Sequence, residues 1–184
     1  MLNKKEFDNI RKDLKTFEIK RENVIALSRD IIHISKQIIY ALHRSDMKSA
    51  SKGVNEIKKL KKKLPNKKFD TDIDKVAWQE YVEALTYYHF LKSGKIPTRA
   101  ALKVDTESYL LGLCDLSGEL VRKAVNEVIK KNNKQAIKIK NLVEEIYGEF
   151  LKLNLRNGDI RRKSDQIKYN LKKLENIAYD IRTK

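Results

Sequence analysis

Four acidic residues occupy positions where an acid is hard to explain as mere solvation. Glu80 and Glu83 lie one turn apart in AWQEYVEALTYYHF, and Asp115 and Glu119 lie one turn apart in YLLGLCDLSGELVRKAVN. Residues three or four apart share a helix face. Trp78, Tyr81, Val82 and Leu85 form the packing stripe of the first segment, so Glu80 and Glu83 are expected to face away from it, with Tyr87 beside them. Asp115 is flanked by Leu113, Cys114 and Leu116, a setting in which a lone ionised carboxylate is costly. Arg122 and Asn126 continue the line of Asp115 and Glu119, and Gly112 and Gly118 would let another helix approach closely.

Two carboxylate pairs on two helices suit a hard divalent cation. Mg²⁺ prefers oxygen ligands, keeps several waters, and binds through a few carboxylates together with substrate phosphates. Such an ion acidifies a bound water and neutralises charge on a phosphodiester under attack. The ordinary alternative is ion pairing with nearby Lys or Arg, Arg122 neutralising Glu119 at i, i+3. On spacing alone that alternative is the better one. A di-iron bundle needs two Glu-x-x-His pairs; the sequence offers only Asp30-x-x-His33. There is no glycine-rich phosphate loop and no nucleophile motif, and His33, His43 and His89 are scattered.

Charge supplies the partner class. Against 25 Asp and Glu stand 41 Lys and Arg, a net +16 in 184 residues. That surplus concentrates polyanions and favours salt-sensitive phosphate contacts. Nucleic acid is therefore the expected partner. No apolar run nears the roughly 20 residues that span a bilayer, and no segment joins a basic face to large exposed aromatics, so no membrane partner is expected. The first residues, MLNKKEFDNIRKDLK, lack the apolar stretch of a secretory signal, and Cys114 is the only cysteine. Both point to a reducing, cytoplasmic setting without disulfides or a Cys-built zinc site.

The elements that must position these acids read as helices throughout, giving an all-α fold in a single domain over 1–184. With six Gly and two Pro, the chain has few places to turn. Residues 5–45 form one long helix: Val24, Leu27, Ile31, Ile34, Ile38 and Ala41 make one apolar row, and Ile25, Ile32 and Ile39 a second. Ser45 or Asp46 caps a shorter helix to about Leu64, stopped by Pro65 and Asn66. KKLKKKLPNKK at 58–68 is a basic patch, open to phosphate binding or simple solvation. A third helix spans about 70–92 and ends at Ser93-Gly94, and KIPTRAALK connects it onward with room for one helical turn. Asp105 or Thr106 caps a helix to about Lys131, and the NNK turn at 132–134 precedes another to about Asn154. After a break at Asn157-Gly158-Asp159, the last helix carries Ile167, Leu171, Leu174, Ala178 and Ile181, a narrow seam for packing within the subunit or against a partner.

Taken together, LSRDIIHISKQIIYALHR (27–44), QEYVEA (79–84), YLLGLCDLSGEL (109–120) and LNLRNGDIRRKSDQIKYNLKKLENIAYDI (153–181) resemble the translin family in their order and spacing. The acids resemble its catalytic branch, translin-associated factor X, in which the matching positions are assigned to metal binding and RNA cleavage. In translin proper the counterparts of Glu80, Glu83 and Asp115 are not acidic, whereas Glu119 is acidic in both branches. The C-terminal run reads closer to translin proper, a mixture suited to an archaeal-type chain that assembles with itself.

The resemblance implies a seven-helix bundle in a hollow homo-oligomer, an octamer, with catalytic acids facing inward. It implies a Mg²⁺- or Mn²⁺-dependent endoribonuclease acting on single-stranded or unpaired RNA, with DNA as a further candidate ligand. Glu80, Glu83 and Asp115 would be catalytic and hold metal, with Glu119 in the ligand shell. Arg29, Lys36, His43, Arg44 and Arg122 would contact nucleic acid, with orientation of the acids or plain salt bridges as alternatives. The competing reading is a non-catalytic single-stranded RNA- or DNA-binding scaffold.

Overall fold

A computed structural model describes residues 2–65 and 69–183. Among them lie seven helices and no strand: α1 Lys4–His43, α2 Met47–Lys61, α3 Ile73–Ser93, α4 Arg99–Leu102, α5 Thr106–Ile129, α6 Asn133–Leu151 and α7 Asp159–Thr183. The expected all-α class and the seven-helix bundle are both present. Asn66, at the expected stop after α2, and Lys67 and Lys68, the end of the 58–68 basic run, lie outside the described residues.

The boundaries have local causes. Asp46 accepts from the amide of Ser49 to start α2, Asp105 accepts from that of Ser108 to start α5, and Asn132 does the same for Gln135 at α6. Each satisfies a backbone donor that the first helical turn leaves free. Gly94 closes α3 in the left-handed conformation, φ 73°, with its amide on the Phe90 carbonyl. That geometry strains any residue with a Cβ.

Packing follows the apolar rows. α1 lies along α2 and α3, α3 packs on α5, and α5 packs on α6 and α7, which also touch each other. Ile31, Ile38 and Leu42 from α1, Val82 and Leu85 from α3, Leu116 and Leu120 from α5, and Ile139, Ile167 and Leu174 from α6 and α7 belong to one continuous core. Each such side chain contributes roughly 1.5–3 kcal/mol on burial. The seam of α7 is buried at Ile167, Leu171 and Leu174 and half-buried toward its end. The first four turns of α1 run clear of this core, with Phe7, Ile10, Leu14 and Phe17 exposed on one side.

Two expectations about α3 and α5 need correction. The middle of α3 has no outward face: every residue from Tyr81 to Tyr88 is buried, because α1 covers one side and α5 the other. Glu83 therefore points into the protein, not away from the packing stripe. Of the two glycines on α5, only Gly112 mediates a close approach. A Cβ there would stand 2.6 Å from Val82 Cβ and 2.9 Å from the Gln79 carbonyl oxygen. Gly118 is exposed, and a Cβ on it would meet only Asn170 Nδ2, at 3.8 Å.

Candidate metal and nucleic-acid site

α3 and α5 bring the four acids within reach of one another's charge, without grouping three of them at metal-ligating separation among the described residues. Burial first, and then the charges of Asp115, Glu80 and Glu119, push the Glu83 carboxyl up to about 9. A neighbour disfavours ionisation only when close and poorly screened, so the acids share one field. Glu83 is only 7% exposed. Among the described residues its carboxyl has no ion-pair or hydrogen-bond partner; the Thr86 hydroxyl reaches only its backbone carbonyl.

The other three acids are partnered. Lys163 Nζ, from α7, lies 2.8 Å from each carboxylate oxygen of Asp115, and the side-chain amide of Gln79 donates to Oδ2. Lys36 Nζ stands 3.9 Å from Glu80 Oε1, a loose pair with an exposed lysine. Desolvation still leaves the Glu80 carboxyl above its usual range. His43 Nε2 donates to Glu119 Oε2, holding that carboxyl below its ordinary value. On the other edge of the imidazole, Nδ1 takes the hydroxyl of buried Tyr87 at 3.4 Å.

His43 is thus buried where a phosphate contact, one of the three roles expected for it, would be exposed. It is 7% exposed and faces Glu119 and Tyr87, a placement suited to orienting an acid or to a plain salt bridge with one. The expected pairing of Glu119 with Arg122 is also replaced: Arg122 is exposed and lowers the Glu119 carboxyl only through its charge, while His43 makes the hydrogen bond. Arg29 and Arg44 are exposed, Arg44 lying 5.5 Å above the Tyr40 ring, and Lys36 is the one of these basic residues that reaches the acids. Cys114, next to Asp115, is buried and its thiol is pushed up to about 12, which leaves it inert.

As they stand, the side chains do not form a finished cage: among the described residues no three His, Cys, Asp or Glu side chains are grouped to hold a metal ion. Lys163 and Gln79 hold Asp115, while His43 holds Glu119. The donor set nevertheless fits a hard cation: all carboxylate oxygens, from two rigid helices, with one buried acid lacking an ion-pair partner among the described residues. Sequence reasoning missed Gln79, Lys163 and Tyr87 as partners. Gln79 immediately precedes Glu80, and its α3 position on the Glu83 line was the one available signal.

Residues 19–184 match the translin family. The chain belongs to that family. It is 25% identical to translin-associated protein X of Rattus norvegicus over 226 residues, a match covering 97% of this chain and 78% of that protein. To translin of Gallus gallus it is 37% identical over 78 residues, which cover 42% of this chain and 34% of that translin. The match thus spans about a third of the length of the curated translins it resembles. Among solved structures, that of apo-NeC3PO has TM-score 0.86 at 34% identity, covering 97% of both chains. A complex of AfC3PO with duplex RNA has TM-score 0.87 at 21% identity, again over 97% of both chains, a likeness of fold. Among the described residues of this translin-family chain, no helix is long and apolar enough to cross a membrane.

Proposed function

We propose that this translin-family protein binds nucleic acid and hydrolyses RNA phosphodiesters with Mg²⁺ or Mn²⁺, inside a hollow homo-oligomer that is an octamer. The observation that carries the reading is Glu83: a buried carboxylic acid without an ion-pair or hydrogen-bond partner among the described residues, in the field of three further acids. Structural acids in cores are paired or hydrogen-bonded. An unpaired one amid like charges is what a cation-binding site looks like without its cation.

In this reading Glu80, Glu83 and Asp115 hold the ion, and Glu119 joins the ligand shell. A bound divalent ion supplies an acidified water and neutralises phosphate charge. The chain's own residues do the rest. His43 and Tyr87 fix the rotamer of Glu119, and Gln79 fixes that of Asp115. Lys36, exposed beside Glu80, and Arg29, Arg44 and Arg122 supply backbone affinity with little base preference. The net charge of +16 supports a polyanionic substrate. Translin-family kinship and the likeness in fold to a protein solved with duplex RNA support RNA as that polyanion.

One observation favours a second reading. Asp115, Glu80 and Glu119 each already have a partner, and no ready metal group exists among the described residues. A non-catalytic nucleic-acid scaffold would need no more than that.

A nuclease assay separates the two. Purified protein is mixed with labelled single-stranded and duplex RNA, with and without Mg²⁺ or Mn²⁺. Cutting that depends on metal, and that Glu80→Gln and Asp115→Asn abolish while RNA binding persists, supports the enzyme. Binding with RNA intact at every metal concentration leaves the scaffold.

A further inference from the structure

Asp115 and Glu83 are neighbours treated in opposite ways. Among the described residues Glu83 has no ion-pair partner, whereas Asp115 has one, with Lys163 Nζ at 2.8 Å from both of its oxygens and Gln79 on Oδ2 as well. Both carboxylate oxygens of Asp115 are therefore already engaged. A carboxylate held this way cannot also bind a divalent cation at full strength, because the ammonium and the ion compete for the same oxygens and repel each other.

Lys163 is built to leave. Its backbone sits in the second turn of α7, anchored by the buried neighbours Ser164 and Ile167, while its side chain is one-third exposed. A four-carbon stem on a fixed helix can carry its charge to solvent without moving the core. Among the described residues Asp115 is its one ion-pair partner.

We propose that Lys163 is an internal counter-cation that a divalent ion must displace from Asp115, so that metal affinity is set by competition with the chain's own lysine. The proposal rests on reading the four acids as a cation site. Without metal, the Lys163–Asp115 pair ties α7 to α5; with metal, the ammonium is released beside the site.

The test is Mn²⁺ binding to the metal-free full chain, by calorimetry and by the electron paramagnetic resonance of free Mn²⁺. Lys163→Met is compared with wild type and with Lys168→Met, which removes an exposed charge from the same helix. Lys163→Met should bind Mn²⁺ about ten-fold more tightly, the loss of one charge-assisted contact. Lys163→Gln, which keeps a donor, should lie between, and Lys168→Met should stay within about two-fold of wild type. Metal-free Lys163→Met should also melt at lower temperature and recover on adding Mn²⁺. If Lys163→Met binds no more tightly than Lys168→Met, the exchange is overturned while the cation site stands. If no chain binds Mn²⁺, the site and the exchange fall together.

Discussion

His43, the last residue of α1, donates to Glu119 in the middle of α5 across 76 residues of chain, and Tyr87 of α3 closes on the other edge of its ring. Three helices thus meet on one imidazole at the edge of the acid cluster. Groups that orient a ligand typically matter to metal sites by about 10–100-fold. His43→Phe should therefore weaken Mn²⁺ binding and metal-dependent cleavage by about 10–100-fold, with RNA affinity unchanged. Parallel cleavage and gel-shift titrations check this. A matching loss of RNA affinity would return His43 to the role of phosphate contact.

Glu83 sets a pH dependence with a definite sign. Its carboxyl is raised from 4.5 to about 9, burial first, so the folded protein holds that proton more tightly than the unfolded chain. Its contribution to stability is fully present below pH 4.5 and declines as pH rises toward about 9. Glu83→Gln should remove that decline and stabilise the metal-free protein at pH 8 by roughly 1–3 kcal/mol, since folding then no longer has to protonate a carboxylate that is ionised in the unfolded chain. Urea denaturation at pH 6 and pH 8 measures both effects. An unchanged pH dependence in the variant would mean that Glu83 already has a partner or a solvent path.

The same group predicts proton release on metal binding. An ion bound at pH 7 must ionise Glu83, so about one proton should leave per site. Calorimetry of Mn²⁺ binding in buffers of different ionisation enthalpy gives the number directly. For Glu83→Gln the number should fall toward zero, together with affinity.

Gly112 and Gly118 make a paired prediction on one helix. Gly112→Ala drives a Cβ to 2.6 Å from Val82 and should cost about 1–3 kcal/mol while shifting α5 from α3. Gly118→Ala makes only an ordinary van der Waals contact, with Asn170 Nδ2 at 3.8 Å, and should stabilise α5 by up to about 1 kcal/mol. Thermal melts of the two variants should move in opposite directions, and only Gly112→Ala should lose metal binding.

Lys123 and Glu127 form a buried pair, 4% and 9% exposed, with Lys123 Nζ also on the Leu42 carbonyl at 3.0 Å. It binds the C-terminal end of α1 to α5, and so sets where His43 stands. Lys123→Met leaves Glu127 buried without its cation and should cost about 3–5 kcal/mol. Lys123→Met with Glu127→Leu should recover most of that in urea denaturation, because the uncompensated charge is gone.

The helices and their ends could be read from the residues alone. Apolar rows at three- and four-residue steps mark which segments are helical, and Asp46, Asp105 and Gly94 mark where they start or stop. These signals are legible because helix hydrogen bonds and caps join residues three to four apart. So could which acids were awkward, since Asp115 sits among Leu113, Cys114 and Leu116 whatever the fold. What those acids touch depended on how the helices pack. Lys163 reaches Asp115 across 48 residues, His43 reaches Glu119 across 76, and Lys123 reaches Leu42 across 81. Whether Glu83 faced water or the core depended on α1 and α5 covering both sides of α3. A helix's periodicity states which residues share a face, but the face that is buried, and the charge that meets it there, are set by which other helices pack against it.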